Sequence, residues 1–485
     1  MSVAAEGVSQ HSSAIAPKAI RGSVLISATV GINGLIGFVA NIIFNRHLGP
    51  LLIGEYAFAL AISDLLGLLI SIGLDIYLVQ AEDCPRATFH SALTLGSLLG
   101  LAFIALSATI SGFYWLHGEH VLAGLIVGLG VQRLVLINTA NYFALLRRDL
   151  RFQALSFIQI LTGILEHGIA VSIALLGGGV WSLFTRDMLD AILNLTFAIW
   201  VTRVRFTFAW HMTEIRRMLH FGVAILVSQS GELAVHHIDS ALLGIVSGRQ
   251  ALAFYDEAFK IGDISRRVAS PALQQVALPT YAQLRHEPNS QQLAFGRVQA
   301  IGGILLVPFA LTLLLYPLPV IVTLFGPSWA DAAPILRIFA GYILLQPALD
   351  HVVQLLLSQG KAISVARAKV VQLFFFLPLL FILLPRFQGV GAASAVVSAL
   401  LASFLYALWE ARSYTGSFIR WIAPATVAAA VFLFFAAIAT LLTTGHSIIL
   451  TLGVLLTLYG GTVIAAVFIF PAGRQLIIRV VFSHR

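Results

Sequence analysis

Four ionisable side chains, Asp256, Lys260, Asp263 and Arg267, recur at i, i+4, i+7 and i+11, with Arg266 beside them. On a helix that spacing puts them on one face. Two chemistries fit. The face could line a cavity that meets a charged substrate or moves protons, or it could be a salt-bridge ladder held by i,i+4 pairing. Glu232, His236 and Asp239 form a second set, with His237 adjacent. Carboxylates and imidazole can relay protons, because histidine titrates near neutrality; polar groups bonded to a neighbouring helix are the plainer reading. Arg186, Asp190 and Asn194 follow i, i+4, i+8, with Asp187 beside them, and an Arg–Asp pair is the simple account. Arg133 stands alone, as an anion contact or half of an ion pair. Asp64 and Asp75, Glu166-His167 and Asp350-His351 are further coupling-ion candidates, set against ordinary satisfied buried groups.

The elements that must position these groups are hydrophobic. Of the residues, 59% are hydrophobic and 10% charged, against about 25% charged in soluble domains. The bilayer must therefore be the solvent. A crossing helix needs about 20 mostly apolar residues. Such runs predict an all-α membrane protein with fourteen segments: 22–44, 56–80, 91–114, 121–145, 153–176, 179–201, 220–246, 252–283, 296–325, 333–358, 365–385, 389–410, 421–443 and 446–470. The expected organisation is a cytoplasmic tail (1–19), a six-helix lobe (20–201), a partly interfacial cytoplasmic linker (202–219), a second six-helix lobe (220–410), and two extra helices with a tail (411–485). With both termini inside, only Arg46, Arg249 and Arg386 fall in outside breaks, while clusters such as Arg147, Arg148, Arg151 and Arg203, Arg205, Arg216, Arg217 fall inside. That is the positive-inside pattern, and it accounts for the +8 net charge without nucleic acid. Trp115, Trp181, Trp200, Trp210, Trp329, Trp409 and Trp421 all fall at or just beyond segment ends, where indole settles at the membrane interface.

Small-residue pairs, Gly96-xxx-Gly100 and Gly124-xxx-Gly128, predict close helix packing. A small and polar stripe on the first segment, Ser23, Ser27, Gly31, Gly34, Asn41 and Asn45, suits packing or cavity lining. The two lobes share a weak echo, Tyr56-x5-Ile62-x-Asp64 and Tyr255-x5-Ile261-x-Asp263, as transporters built from repeats do.

Several chemistries are unsupported by motif. There is no GxxxxGK[ST] loop for ATP, no HExxH and no GxSxG elbow. The single cysteine, Cys84, can form no intrachain disulfide. The N-terminus lacks a signal-peptide cleavage pattern, and Asn194-Leu195-Thr196 lies within a segment, which argues against glycosylation. No enzyme, cofactor or metal site is expected.

Asn45-Arg46-His47-Leu48-Gly49-Pro50 followed by Gly54-Glu55-Tyr56 resembles the signature after the first helix of bacterial polysaccharide-unit (Wzx-like) flippases. Leu145 to Phe152 resembles their fourth-to-fifth helix loop, and Leu278-Pro279-Thr280-Tyr281 the end of their eighth helix. These motifs mark the multidrug/oligosaccharidyl-lipid/polysaccharide exporter superfamily, and fourteen helices favour its oligosaccharide and lipid II flippases. The resemblance implies a V-shaped bundle with a central cavity of alternating access, in a bacterial inner membrane. It implies a polyprenyl-diphosphate-linked oligosaccharide as cargo, moved outward for surface polysaccharide synthesis. Lys260, Arg266, Arg267, Arg186 and Arg133 are then the expected diphosphate contacts, assigned by chemistry and helix position. Asp263, Asp256, Glu232, His236, Asp239 and Asp64 are the expected H+ or Na+ coupling sites. The segments hold more acids than cations, which departs from a simply cationic pocket and suits ion coupling or pairing. Expected partners are the lipid-linked oligosaccharide, membrane lipids, a coupling ion and the polysaccharide polymerase or export machinery. The alternatives are a cation-coupled exporter of amphipathic small molecules and an intramembrane polysaccharide polymerase.

Overall fold

The computed structural model describes residues 2–68, 70, 72–81, 86–268, 270–416, 418–443 and 460, leaving aside the side chains of 2–21, 23–24, 224, 227–236, 265–276, 418–422, 435 and 437–443. Among the described residues there is no β-strand. Backbone groups in hydrocarbon must be satisfied within their own segment, and helices do this without a partner. The contacts divide the chain into two units, Met1–Ala241 and Leu242–Arg485.

The first unit contains α1 (Ser2–Gly67), α2 (Leu74–Gln80), α3 (Arg86–Leu116), α4 (His120–Arg148), α5 (Phe152–Leu175), α6 (Trp181–Thr202) and most of α7 (Met212–Ser247). The second contains α8 (Arg249–Val268), α9 (Ser270–Gln283), α10 (Pro288–Leu315), α11 (Pro317–Phe325), a 3-10 turn (Pro327–Ala332), α12 (Ala333–Ser358), α13 (Ala362–Thr415) and α14 (Phe418–Thr443). Among the described residues, 7 helices are long and apolar enough to cross a membrane. Two of these, Leu25–Gly67 and Ala362–Thr415, run to 43 and 54 residues. At 1.5 Å per residue the shorter would reach about 65 Å, roughly twice the hydrocarbon thickness. Each is broken by one non-helical residue, Gly49 (φ 73°, ψ 172°) and Gln388 (φ 49°, ψ −129°). Gly49 occupies a region that a side chain would strain, so the Leu48-Gly49-Pro50 run separates the first two expected spans.

Other expected spans are interrupted. The 56–80 segment ends as α1 at Gly67 and resumes as α2 after a turn, with Gly73 at φ 59°. Arg148 at the end of α4 donates to the carbonyls of Leu78 (3.0 Å) and Ala81 (2.5 Å), satisfying acceptors at the end of α2. The 296–325 segment breaks at Tyr316, where Pro317, which has no N–H, starts α11. The 252–283 segment comprises α8 and α9. The last expected span, 446–470, lies outside the described residues apart from 460.

Packing follows the small residues. A Cβ on Gly96 would lie 2.9 Å from Ile137, so α3 and α4 close up there. One on Gly128 would lie 2.6 Å from the Phe184 ring, which brings α4 against α6. In the second unit α12 packs against α8, α9, α10 and α13. Trp329 departs from the interfacial expectation. Its indole is 0% exposed and meets Phe254 and Phe325 at ring distances of 5.8 and 5.6 Å. The 3-10 turn folds it into the unit's core. Trp115, Trp181, Trp200, Trp210 and Trp409 are exposed, as interfacial rings would be.

Candidate functional site

Two constellations of charge lie within the helices, one in each unit. The first is assembled from separate helices. Arg133 on α4 donates to Asp64 on α1 at 2.6 Å. The Arg133 guanidinium also sits 5.8 Å from the Phe103 ring centre on α3. His237 on α7 approaches the other Asp64 oxygen at 3.7 Å. Tyr56, eight residues before Asp64 on α1, donates to Asp187 on α6 at 2.5 Å, and Arg186 donates to the other Asp187 oxygen at 2.7 Å. Gln132 on α4 donates to the Asp187 carbonyl at 3.2 Å.

Arg186 therefore pairs with its neighbour Asp187, not with the Asp190 that the i, i+4 spacing suggested. Asp190 instead accepts from Asn194 at 2.6 Å. Glu166 lies 3.0 Å from the His167 ring, which also bonds the Gly163 carbonyl at 2.9 Å. The sequence neighbours Asp350 and His351 diverge. Asp350 accepts from Gln346, while His351 meets Gln299 at 3.1 Å. Asp75 lies 3.6 Å from Arg147 on α4.

The second constellation is largely intrahelical. Lys260 on α8 reaches Asp256 and Glu257, each at 2.8 Å. Glu257 is 0% exposed. Asp263, three residues beyond Lys260, accepts from Tyr342 on α12 at 3.4 Å. Tyr255, Phe259, Phe339 and Tyr342 pack edge to face around this helix, with centroids of Phe259 and Tyr342 5.4 Å apart.

The side chains of Arg266, Arg267, Glu232 and His236 lie outside the described residues. Asp239 is buried and caps the Ser240 N–H at 2.7 Å. The sequence reading did not anticipate the Tyr56–Asp187 bond, nor which carboxylate Arg133 meets. The only advance signal was a polar side chain on each of several apolar segments. Spacing along one helix says nothing about which other helix lies opposite.

Among the described residues, no group of three or more His, Cys, Asp or Glu is arranged to hold a metal ion. What the two constellations can do is hold opposite charges together within the helical units. A charge inside hydrocarbon is costly and normally faces the bundle interior or water. The Arg133 and Asp64 side chains are 27% and 34% exposed, and Lys260 and Asp256 41% and 28%.

The long apolar helices define a polytopic α-helical membrane protein. Its structure is similar to that of the lipid II flippase MurJ in an inward closed conformation, with TM-score 0.70 and 13% identity over 94% of this chain and 100% of that one. It is also similar to an inward-facing multidrug resistance MATE family transporter, with TM-score 0.54 and 14% identity over 82% of this chain and 96% of the other. The family described as polysaccharide biosynthesis protein matches residues 43–334, and the chain belongs to that family. Relatives include the succinoglycan biosynthesis transport protein ExoT of Rhizobium meliloti (strain 1021), 26% identical over 62% of each chain. The teichuronic acid biosynthesis protein TuaB of Bacillus subtilis (strain 168) is 23% identical over 61% of this chain and 62% of its own. The chain thus spans about 62% of the length of these curated relatives. It is a multi-pass protein of the inner (plasma) membrane.

Proposed function

We propose that this chain is a secondary transporter that flips polyprenyl-diphosphate-linked oligosaccharide units across the inner membrane for surface polysaccharide synthesis. The observation that carries this reading is a half-buried ion pair joining two apolar, membrane-length helices, Arg133–Asp64, with a second pair, Lys260–Asp256, on the more polar α8. A lipid-linked cargo keeps its tail in hydrocarbon and needs help only for its charged and sugar head. Charged surfaces within a helical bundle offer that help. Membership of a polysaccharide biosynthesis family and a relative named for succinoglycan biosynthesis transport favour this cargo over others.

The pairing suggests how transport could be coupled. Each cation is already held by a carboxylate, so a diphosphate must compete with that carboxylate for it. H+ or Na+ on Asp64 weakens its hold on Arg133 and frees the guanidinium for phosphate. By linkage, phosphate on Arg133 raises the affinity of Asp64 for the coupling ion by the same factor. Asp256 and Lys260 stand in the same relation, as do Asp187 and Arg186. Arg266 and Arg267 are the remaining diphosphate candidates, and Asp263, Asp239, Glu232 and His236 the remaining ion candidates. Two six-helix lobes divided at 202–219 would supply the moving parts, and polymerase or export machinery would receive the product.

The test is depletion of the protein in its host. Lipid-linked units should accumulate in the cytoplasmic leaflet and surface polysaccharide should be lost. Normal delivery to the outer leaflet would remove the flippase reading and bring forward a cation-coupled exporter of amphipathic small molecules, which the MATE-like fold also accommodates. A polymerase defect would instead leave single repeat units displayed outside. Arg133→Ala should lower export at least about tenfold, a loss of about 1.4 kcal/mol. The pair Asp64→Asn with Arg133→Gln should fold better than either single variant and still fail to export.

A further inference from the structure

The stretch from Arg203 to Val223 carries none of the charge pairs of the transport scheme above, yet it is bonded to its neighbours at several points. Residues 203–211 have no regular helix. They are fastened to the ends of α3 and α4. Tyr142 donates to the Val204 carbonyl at 3.0 Å, and the Ala209 N–H donates to Thr94 at 3.2 Å. Ser91 meets the His211 ring at 3.1 Å, and Thr88 donates to Glu214 at 3.3 Å. At the start of α7, Ile215 and Met218 are buried in one core with Phe89, Leu93 and Tyr142.

The outward side has the opposite character. Phe206, Phe208 and Trp210 are exposed along the strap, and Met212, Leu219 and Val223 on α7. The bonds and the buried residues on the inner side leave these apolar groups facing outward. On the first turns of α7, next along the chain from the exposed aromatic residues, lies a shallow cleft of about 510 Å³ lined by Met212, Thr213, Arg216, Arg217 and His220. Arg217 is shared with Glu214 at 2.9 Å. Arg216 is exposed and has no ion pair or hydrogen bond among the described residues. The same end of the unit carries Arg147 and Arg151, the latter donating to the Val201 carbonyl at 3.4 Å.

We propose that this cleft is a binding site for the phosphate head of an anionic phospholipid. Arg216, Arg217 and His220 meet the phosphate, while Phe206, Phe208 and Trp210 settle at the headgroup boundary beside it. Aromatic rings favour that boundary, and an amphipathic surface with arginine among exposed apolar side chains lies in the interface plane. The charge of the cleft is complementary to an anionic head and has no special match for a zwitterionic one. A soluble acidic partner would leave the exposed aromatic row unexplained. The inference is independent of what the protein transports.

The experiment is native mass spectrometry of the full-length protein in detergent, titrated with phosphatidylglycerol or phosphatidylcholine. The wild type should retain phosphatidylglycerol in preference to phosphatidylcholine. Arg216→Gln/Arg217→Gln should weaken phosphatidylglycerol retention by about 25-fold, near fivefold for each basic side chain, and leave phosphatidylcholine unchanged. Arg216→Lys/Arg217→Lys should restore most of the loss. Both arginines are exposed, so monodisperse folded protein is expected, and the wild-type lipid preference tests the site without any variant. Equal retention of the two lipids by the wild type, or equal phosphatidylglycerol retention by wild type and the glutamine variant, would overturn the proposal. Competition separates the sources of phosphate. Displacement by undecaprenyl diphosphate at far lower concentration than phosphatidylglycerol would make this a cargo dock and overturn the phospholipid assignment. Displacement by millimolar inorganic phosphate would reduce it to a free-anion site.

Discussion

The two units place charge in the membrane in different ways. In the first, several bonds join different helices: Tyr56 of α1 to Asp187 of α6, Arg133 of α4 to Asp64 of α1, His237 of α7 beside that pair. In the second, Lys260 of α8 meets Asp256 and Glu257 of the same helix. Yet both begin from a similar run, Tyr56-x5-Ile62-x-Asp64 and Tyr255-x5-Ile261-x-Asp263. Asp64 in the first remains partly exposed against a cation, whereas Asp263 in the second is 1% exposed and bonded to Tyr342. Similar local sequence is thus put to different use. A pair between helices changes when the helices move, while a pair within one helix travels with it. On this comparison the first unit is better suited to sense helix movement and the second to carry a fixed charge.

That contrast can be broken by substitution. The largest effect is expected from Lys260→Ala, which strips the cation from the fully buried Glu257. Removing one partner of a buried pair costs about 3–5 kcal/mol, and the partial exposure of Lys260 favours the low end. Thermal melts of the detergent-purified variant should show the loss, with Lys260→Arg retaining most stability. Tyr56→Phe should come next, at about 1.5–3 kcal/mol for a hydrogen bond to a charged group. If the first unit senses movement, this variant should alter transport rate more than its stability loss alone explains, whereas Lys260→Arg should not. Flux in proteoliposomes against melting temperature decides this.

Smaller effects test the breaks in the two longest helices. Gly49→Ala puts a side chain at φ 73° and should cost about 1–2 kcal/mol. Gln388→Gly relieves a non-glycine residue at φ 49° and should stabilise by about 1 kcal/mol. Opposite shifts in melting temperature are the expected signature, and equal signs would refute it. Smallest is Arg147→Ala. Its contact with Asp75 is 3.6 Å long, with side chains 45% and 29% exposed. Such pairs contribute about 0–1 kcal/mol, so no measurable change in melting is expected.

Much of the architecture was legible because the bilayer imposes simple rules on a chain. The run lengths, the cation clusters in the breaks and the small-residue pairs Gly96-xxx-Gly100 and Gly124-xxx-Gly128 each follow from local composition. The Asp256–Lys260 contact was legible for the same reason, since i,i+4 neighbours meet on any helix. The break after Gly67 was not, because α2 depends on Arg148, seventy residues away, to satisfy its carbonyls. The strap at 203–211 read as a linker. Its anchors, Thr94, Ser91 and Tyr142, are spread along two earlier helices. Trp329 showed the limit of a statistical rule, since its position at a segment end did not reveal the aromatic pocket that encloses it.

By itself the sequence determined the solvent of this protein, its helical class and the contacts made within single helices. Those depend on hydrophobic run length and on a periodicity of 3.6 residues, both properties of neighbouring residues. Only the tertiary structure decided that Arg133 meets Asp64, that Tyr56 reaches the Asp187 that Arg186 also holds, and that the 203–211 strap is fastened to α3 and α4. The reason is physical. In hydrocarbon every helix is independently satisfied along its backbone, so partner choice falls to side-chain packing and a few polar bonds. Those terms depend on which faces meet in three dimensions, and no local pattern encodes the meeting.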